Sequence, residues 1–395
     1  LGNGEHVWVG YLAFKGKDDG MKFVVERDPL IDAVNWVARS LSSRPIQTAL
    51  LGIMIDVTDS ITLTGSDLET STKATINADI ATKGKVLVPG RLLAEIARSL
   101  PAKPVTFVLD GTRVLVTAGS AKFTLPTLPS NEYPNLPTLP QSAGEIPADV
   151  FATAVNQVAV AAGKDDSLPT LTGVHIEMNK TTITLAATDR YRLAVKEINW
   201  NPKDQELEAA TLLRARTLID AAKSLAGGGQ ITFALSPTTS NEKLVGFVSE
   251  EKTMTSRTLD GSFPPFRHLL PTESTAEAVI EVAPFLDSVR RVALVTDKTV
   301  PLRLVFGNNT LQLEAGTGDD AQATEELNIN YTGENINIAF NPTFLTDGLQ
   351  AINAPFVHIS FTGDKKPAVL TGKSEPSGAP NPSYKYLLMP MRYTS

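Results

Sequence analysis

A segment of about a dozen residues recurs three times along this chain, and a recurrence of that kind narrows the possible architectures before any other feature does. Val86-Leu87-Val88-Pro89-Gly90-Arg91-Leu92-Leu93 runs on to Ala97-Arg98-Ser99-Leu100. Thr211-Leu212-Leu213-Arg214-Ala215-Arg216-Thr217-Leu218 runs on to Ala222-Lys223-Ser224-Leu225. Ile338-Ala339-Phe340-Asn341-Pro342-Thr343-Phe344-Leu345 runs on to Ile352. Each copy reads as a short apolar strand, a turn, and a helix with apolar residues three and four apart. Arg91 and Arg216 are 125 positions apart, and Arg216 and Thr343 are 127 apart. Leu63-Thr64-Gly65-Ser66-Asp67-Leu68 returns 122 positions on as Leu185-Ala186-Ala187-Thr188-Asp189-Arg190.

A second helix opens each unit, at Asp28–Ser42, Ala148–Ala162 and Ala283–Val295. Strand pairs fill the rest. Val105 to Val116 turns at Asp110-Gly111, and Leu302 to Leu313 turns at Gly307-Asn308-Asn309, both hairpin signals. Two amphipathic helices with several antiparallel strands per unit predict an α+β fold, helices on one face of the sheets. The Pro-rich stretches Pro126–Pro140 and Pro264–Pro271 read as stiff linkers. The expected division is an extension at 1–20, then domains at 21–141, 142–272 and 273–395, each of ordinary size.

Composition removes whole classes of function. No cysteine is present among 395 residues, which excludes disulfide frameworks, thiolate zinc sites and cysteine nucleophiles. Leu1–Gly20 lacks the basic start and long apolar run of a secretory signal. No stretch is apolar enough to span a membrane, and a cytoplasmic protein without cofactor or metal is expected.

Catalytic patterns fail one by one. Gly316-Thr317-Gly318-Asp319-Asp320-Ala321 superficially matches a dinucleotide fingerprint, but Glu325-Glu326-Leu327-Asn328-Ile329 after it reads as a strand where the fingerprint needs a helix. Gly372-Lys373-Ser374 resembles the end of a phosphate loop, yet its first glycine would fall on Pro367. His6, His175, His268 and His358 lie far apart, without paired spacing. Gly227-Gly228-Gly229 reads as a helix cap and turn, and the acidic pairs Glu250-Glu251 and Glu325-Glu326 as solvated surface. A binding or scaffold protein is the expectation, against an enzyme with an inter-domain site or a purely structural scaffold.

Several blocks in fixed order resemble the bacterial DNA sliding clamps, the beta subunits of the replicative DNA polymerase III holoenzyme. They are Met21-Lys22-Phe23 with Glu26-Arg27, Arg44-Pro45, Leu63 to Glu69, Thr188 to Val195, Asp260-Gly261-Ser262-Phe263-Pro264, and Tyr386-Leu387-Leu388-Met389-Pro390-Met391-Arg392. The set spans essentially all of Met21–Arg392. Arg190-Tyr191 stands where many members carry Gly-His, Leu168 and His268 stand where some carry arginine, and Ser374–Ser383 looks like an insertion. Together these departures look actinobacterial.

The resemblance implies a head-to-tail homodimer of three-domain chains closing a ring around duplex DNA, helices lining the hole and sheets forming the rim. The implied joint uses Lys122 and Phe123 against Leu294, Val295, Glu325 and Glu326. The implied peptide pocket, between second and third domains, uses Leu171, Thr188, Arg190, Arg192, Leu193, Pro264, Leu269, Asn341, Phe344, Pro367, Leu388, Met389, Pro390, Met391 and Arg392. Its partners would be the replicative polymerase subunit, the clamp loader, and other DNA polymerases and repair proteins carrying short linear motifs.

An acidic chain, net charge −7, needs a locally basic face to hold DNA. The six helical windows 28–42, 89–100, 148–164, 212–226, 283–298 and 342–353 sum to +2, so the expected lining is basic relative to the rest. Arg44, Arg98, Lys164, Arg214, Arg216, Lys223, Arg290 and Arg291 are the candidate phosphate contacts. A ring that slides needs such contacts without base readout.

Overall fold

The structure, a computed structural model, describes residues 20–393 except 43, 228, 238, 239, 241, 296–299 and 317–320. Residues 1–19 of the extension expected at 1–20, His6 among them, the middle of the Gly316–Ala321 loop and the end of the 283–298 window lie outside the described residues. The chain divides into two compact units, one reaching to Pro137 and including Glu251–Thr253, the other holding the remainder.

The first unit carries helices α1 (Arg27–Ala38) and α2 (Gly90–Ser99). A five-stranded antiparallel sheet runs Asp79–Thr82, Lys22–Val25, Val105–Asp110, Arg113–Ala118, Ala121–Pro126. The strands Thr70–Ile76, Ile61–Ser66, Gly52–Val57 and Gly84–Pro89 lie side by side in another. Leu30, Ala33, Val34 and Val37 of α1 are buried, the three- and four-residue spacing that puts one helical stripe on the core. Phe23 and Phe107 stack there at 4.8 Å. Gly111, at φ +57°, makes the hairpin turn between Asp110 and Arg113.

In the second unit the helices are α3 (Ala148–Ala159), α4 (Ala215–Leu225), α5 (Val282–Val292) and α6 (Pro342–Ala351). Their buried stripes repeat the spacing: Phe151, Ala154, Val155 and Val158 on α3, and Leu218, Ala221, Ala222 and Leu225 on α4. A nine-stranded sheet runs continuously from Glu208–Arg214 to Asn330–Gly333. Its middle joins the second and third repeats: Arg192–Asn199 pairs with Tyr384–Leu388 antiparallel, Arg192 opposite Leu388 and Lys196 opposite Tyr384. A four-stranded sheet, Ala323–Asn328, Thr310–Ala315, Leu302–Gly307, Ile336–Phe340, ends on the first of these as an edge. Asn308 (φ +52°) and Asn309 (φ +60°) form its hairpin turn, the left-handed pair that matches the twist of the flanking strands.

The expected helices α1, α3 and α5 are shorter than their sequence windows. At the end of α1, Ser40 Oγ donates back to the Val37 carbonyl at 2.9 Å and meets Thr72 Oγ1 at 2.7 Å, a side-chain alternative that stops the helix. Past Val292 the chain tightens into a 3₁₀ turn, Ala293–Val295. The expected turn between repeated strand and helix is also missing. Gly84–Pro89 leads at once into α2, Glu208–Arg214 into α4, and one residue, Asn341, separates Ile336–Phe340 from α6. Nor is Pro264–Pro271 merely a linker. Phe266 is buried against Leu193, Val369 and Leu387, and Phe263 and Leu270 pack beside it.

Candidate functional site

The recurring Ser/Thr-Asp pair builds the same turn twice. In the first unit Leu68 N and Ser66 Oγ are 3.1 Å apart, while Glu69 N and Thr70 N donate to Asp67 Oδ1. In the second, Arg190 N donates to Thr188 Oγ1 (3.1 Å), and Tyr191 N and Arg192 N donate to Asp189 Oδ1. Leu68 and Arg190 take φ of +78° and +80°, a left-handed conformation these hydrogen bonds hold in place. The turn puts Tyr191 out on the surface, 58% exposed, and Arg192 inside, 4% exposed.

α6 meets this turn. Asn341 caps it, Oδ1 accepting from Thr343 N at 2.9 Å and Phe344 N at 3.2 Å, with Pro342 in the first turn, an N-terminus that fixes where the next residues point. Phe344 has Tyr191 stacked at 6.4 Å and the Arg192 guanidinium 4.2 Å from its ring centre. Tyr386 OH donates to the Phe344 carbonyl at 2.9 Å. Gly348 admits the Tyr386 ring, since a Cβ there would stand 2.4 Å from it.

Arg192 is held by Asp189 Oδ2 (2.9 Å) and Asp347 Oδ2 (2.7 Å), with Tyr386 OH at 3.4 Å. Burial disfavours its charge, but Tyr386, Asp347 and Asp189 more than offset that and raise the pKa further. Burial likewise pushes the Tyr386 hydroxyl up, although Arg192 pulls the other way.

The tail completes the wall. Met389 N donates to the Tyr191 carbonyl at 2.9 Å and Met391 N to the Ala339 carbonyl at 2.7 Å. Met389 and Leu269 are exposed, Pro390 and Met391 half-buried, Arg392 exposed. Leu193 and Leu388 are core residues, 1% and 0% exposed. Pro367 is half-buried beside the strand Ala368–Lys373. Pro264 lines a separate cleft of about 410 Å³ with His175, Phe263 and His268. That segment is tied to Leu193 through Phe266, and to the sheet by Arg267 on Glu177 at 2.9 Å. Leu171 is buried in a 3₁₀ turn. Asp165 nearby is held low by Ser167 and, more weakly, Arg190, which relates the Leu171 loop to the Arg190 rim. Tyr191, Asp189 and Asp347 were absent from the expected set; the match of Asp189 with Asp67 is the sequence signal for one of them.

All eight candidate phosphate contacts are exposed. Three have acidic neighbours: Arg214 with Asp166 at 3.8 Å, Arg290 with Asp287 at 3.7 Å, and Arg291 with Glu325. Glu325 is therefore not simply solvated surface. It also accepts from Ser288 Oγ at 2.6 Å, and Arg291 and Ser288 keep its carboxyl below the usual range. Lys122 and half-buried Phe123 lie on Ala121–Pro126, an edge strand. Leu294 is 84% exposed, and Val295 half-buried. Among the described residues, no cluster of three His, Asp or Glu could hold a metal, and no helix is long and apolar enough to cross a membrane.

Repeated α+β units with sheet edges at their ends and a partly exposed apolar surface at Tyr191, Phe344 and Met389 are the features of a protein that assembles with other chains. Models of the N-terminal, central and C-terminal domains of the DNA polymerase III beta subunit match residues 21–137, 145–265 and 267–392. The Beta sliding clamp of Streptomyces coelicolor is 48% identical over 94% of this chain and 99% of its own length. That of Micrococcus luteus is 49% identical over 78% and 98%. The Pseudomonas aeruginosa sliding clamp, solved bound to griselimycin, superposes with TM-score 0.86 at 25% identity, covering 95% of this chain and all of that one. The chain belongs to the beta sliding clamp family, the non-catalytic beta subunits of DNA polymerase III.

Proposed function

We propose that this chain is the processivity clamp of DNA polymerase III, working on DNA in the cytoplasm. Two copies join head to tail into a ring around duplex DNA and tether the replicative polymerase subunit. The clamp loader and other DNA polymerases and repair proteins use the same cleft through short linear motifs. Family membership across all three domains carries this reading.

The chemistry of the surfaces supports it. The strands Ala121–Pro126 and Ala323–Asn328 each lie at the end of a sheet, and pairing such edges across a joint removes an aggregation hazard. Lys122 on one and Glu326 on the other suit a head-to-tail contact, with Phe123, Leu294 and Val295 as its apolar part. At micromolar concentration the protein should sediment as a dimer, and Leu294→Asp should shift it to monomer. A dimer unaffected by that change would remove Leu294 from the joint.

Exposed cations on the helices, such as Arg216 on α4, and just beyond them, such as Arg44 after α1, give attraction to phosphate without base recognition. Arg44→Ala with Arg216→Ala should leave the melting temperature nearly unchanged, since exposed charges contribute little to folding. Retention on closed circular DNA should fall at low salt, with the difference from the parent shrinking as salt rises. Equal retention at low salt would take both residues off the DNA face.

A further inference from the structure

We infer that Asp347, outside the expected pocket set, is a positioning residue for partner binding; the inference rests on the cleft around Tyr191 and Phe344 being the docking site. Asp347 lies on α6 three residues after Phe344, so both side chains leave the same face of the helix. Its carboxylate takes Arg192 Nη1 at 2.7 Å. Arg192 belongs to the second repeat, where Asp189 Oδ2 holds Nε at 2.9 Å. Two carboxylates from two repeats therefore grip one planar guanidinium, which a lysine could not satisfy in the same way.

That plane covers one side of the Phe344 ring at 4.2 Å, while Tyr191 stacks on it at 6.4 Å. The Asn341 cap and Tyr386 fix the Phe344 backbone, while the side of its ring that meets Arg192 depends on where Asp189 and Asp347 hold the guanidinium. Of these two carboxylates Asp347 is the one on α6, so it ties the Phe344 ring to the 188–192 turn. An apolar anchor of a partner peptide reads that placement directly, because close packing penalises gaps of even one methylene. Asp347 need not touch the peptide to govern its affinity.

The test uses the full chain and a fluorescein-labelled peptide with adjacent Leu and Phe. Asp347→Asn, which keeps shape and removes charge, should weaken binding about tenfold while the dimer persists. In a Phe344→Ala background the same change should cost less than about twofold. Asp347→Glu, which restores the charge, should recover most of the affinity. Should D347N fold poorly, Asp347→Ser replaces it with the same expectation. Equal losses with and without Phe344 would show a general effect on the seam and overturn the inference. Parental affinity in D347N, with Met389→Ala still impaired, would overturn it and leave the docking site standing. Undiminished affinity in Met389→Ala would remove the docking site itself, and the role of Asp347 with it.

Discussion

Removing residues 389–395 should abolish measurable peptide binding and leave the dimer intact. Met389 and Met391 are the tail's part of the proposed docking surface, and both retain exposed surface for a ligand to cover. Burial of such a side chain contributes roughly 1.5–3 kcal/mol, so losing two weakens a micromolar peptide by about 100-fold or more. Tyr191 also loses the hydrogen bond from Met389 N to its carbonyl, loosening the opposite wall. The edge strands proposed for the joint, Ala121–Pro126 and Ala323–Asn328, contain none of the removed residues. Calorimetry with the peptide and sedimentation of the shortened chain measure the two halves separately. Undiminished peptide affinity would refute the docking site. Dissociation into monomers would show that the tail serves assembly.

Arg192→Met should destabilise the second unit by about 3–5 kcal/mol, the usual cost of stranding a buried charge partner. Methionine replaces the volume but leaves Asp189 and Asp347 without their cation, and Asp189 has a side chain only 15% exposed. Arg192→Lys should lose less, since one ammonium can serve one carboxylate well but not both. Urea unfolding followed by tryptophan fluorescence and by circular dichroism reads the loss as a lowered midpoint. A midpoint within 0.2 M of the parent, on the order of 0.5 kcal/mol at ordinary urea slopes, would mean that the two carboxylates find other donors.

Much of the fold was legible locally. The three-fold repeat, the Asp110-Gly111 and Asn308-Asn309 turns and the six amphipathic stripes all follow from short-range pattern, because 3.6- and 2-residue periods are set by backbone geometry. Helix ends were less legible: Ser40 stops α1 by bonding to Val37 and to Thr72, a residue 32 positions away. The site divides the same way. The recurrence of Ser66-Asp67 as Thr188-Asp189 is local and visible in the sequence, although the turn they build was not read from it, whereas the Arg192–Asp347 pair spans 155 positions and no spacing rule announces it. Pro264–Pro271 looked like a spacer because prolines dominate it, yet Phe266 and Leu270 fix it to the core. Resemblance to a family, rather than periodicity, supplied the pocket residues. It carried over Leu193 and Leu388, which the fold buries, and passed over Tyr191, which the fold exposes.

The continuous sheet through Arg192–Asn199 and Tyr384–Leu388 also bears on how the protein is made. Arg192 and Tyr386 touch although 194 positions separate them, so the ribosome delivers one strand long before the other, at ordinary rates of synthesis by some tens of seconds. During that interval the 192–199 strand has an open side, and closing so long a loop costs entropy before its contacts give anything back. The nascent chain therefore carries an open strand, able to pair with a foreign edge, after the second repeat has emerged and before the last strand arrives.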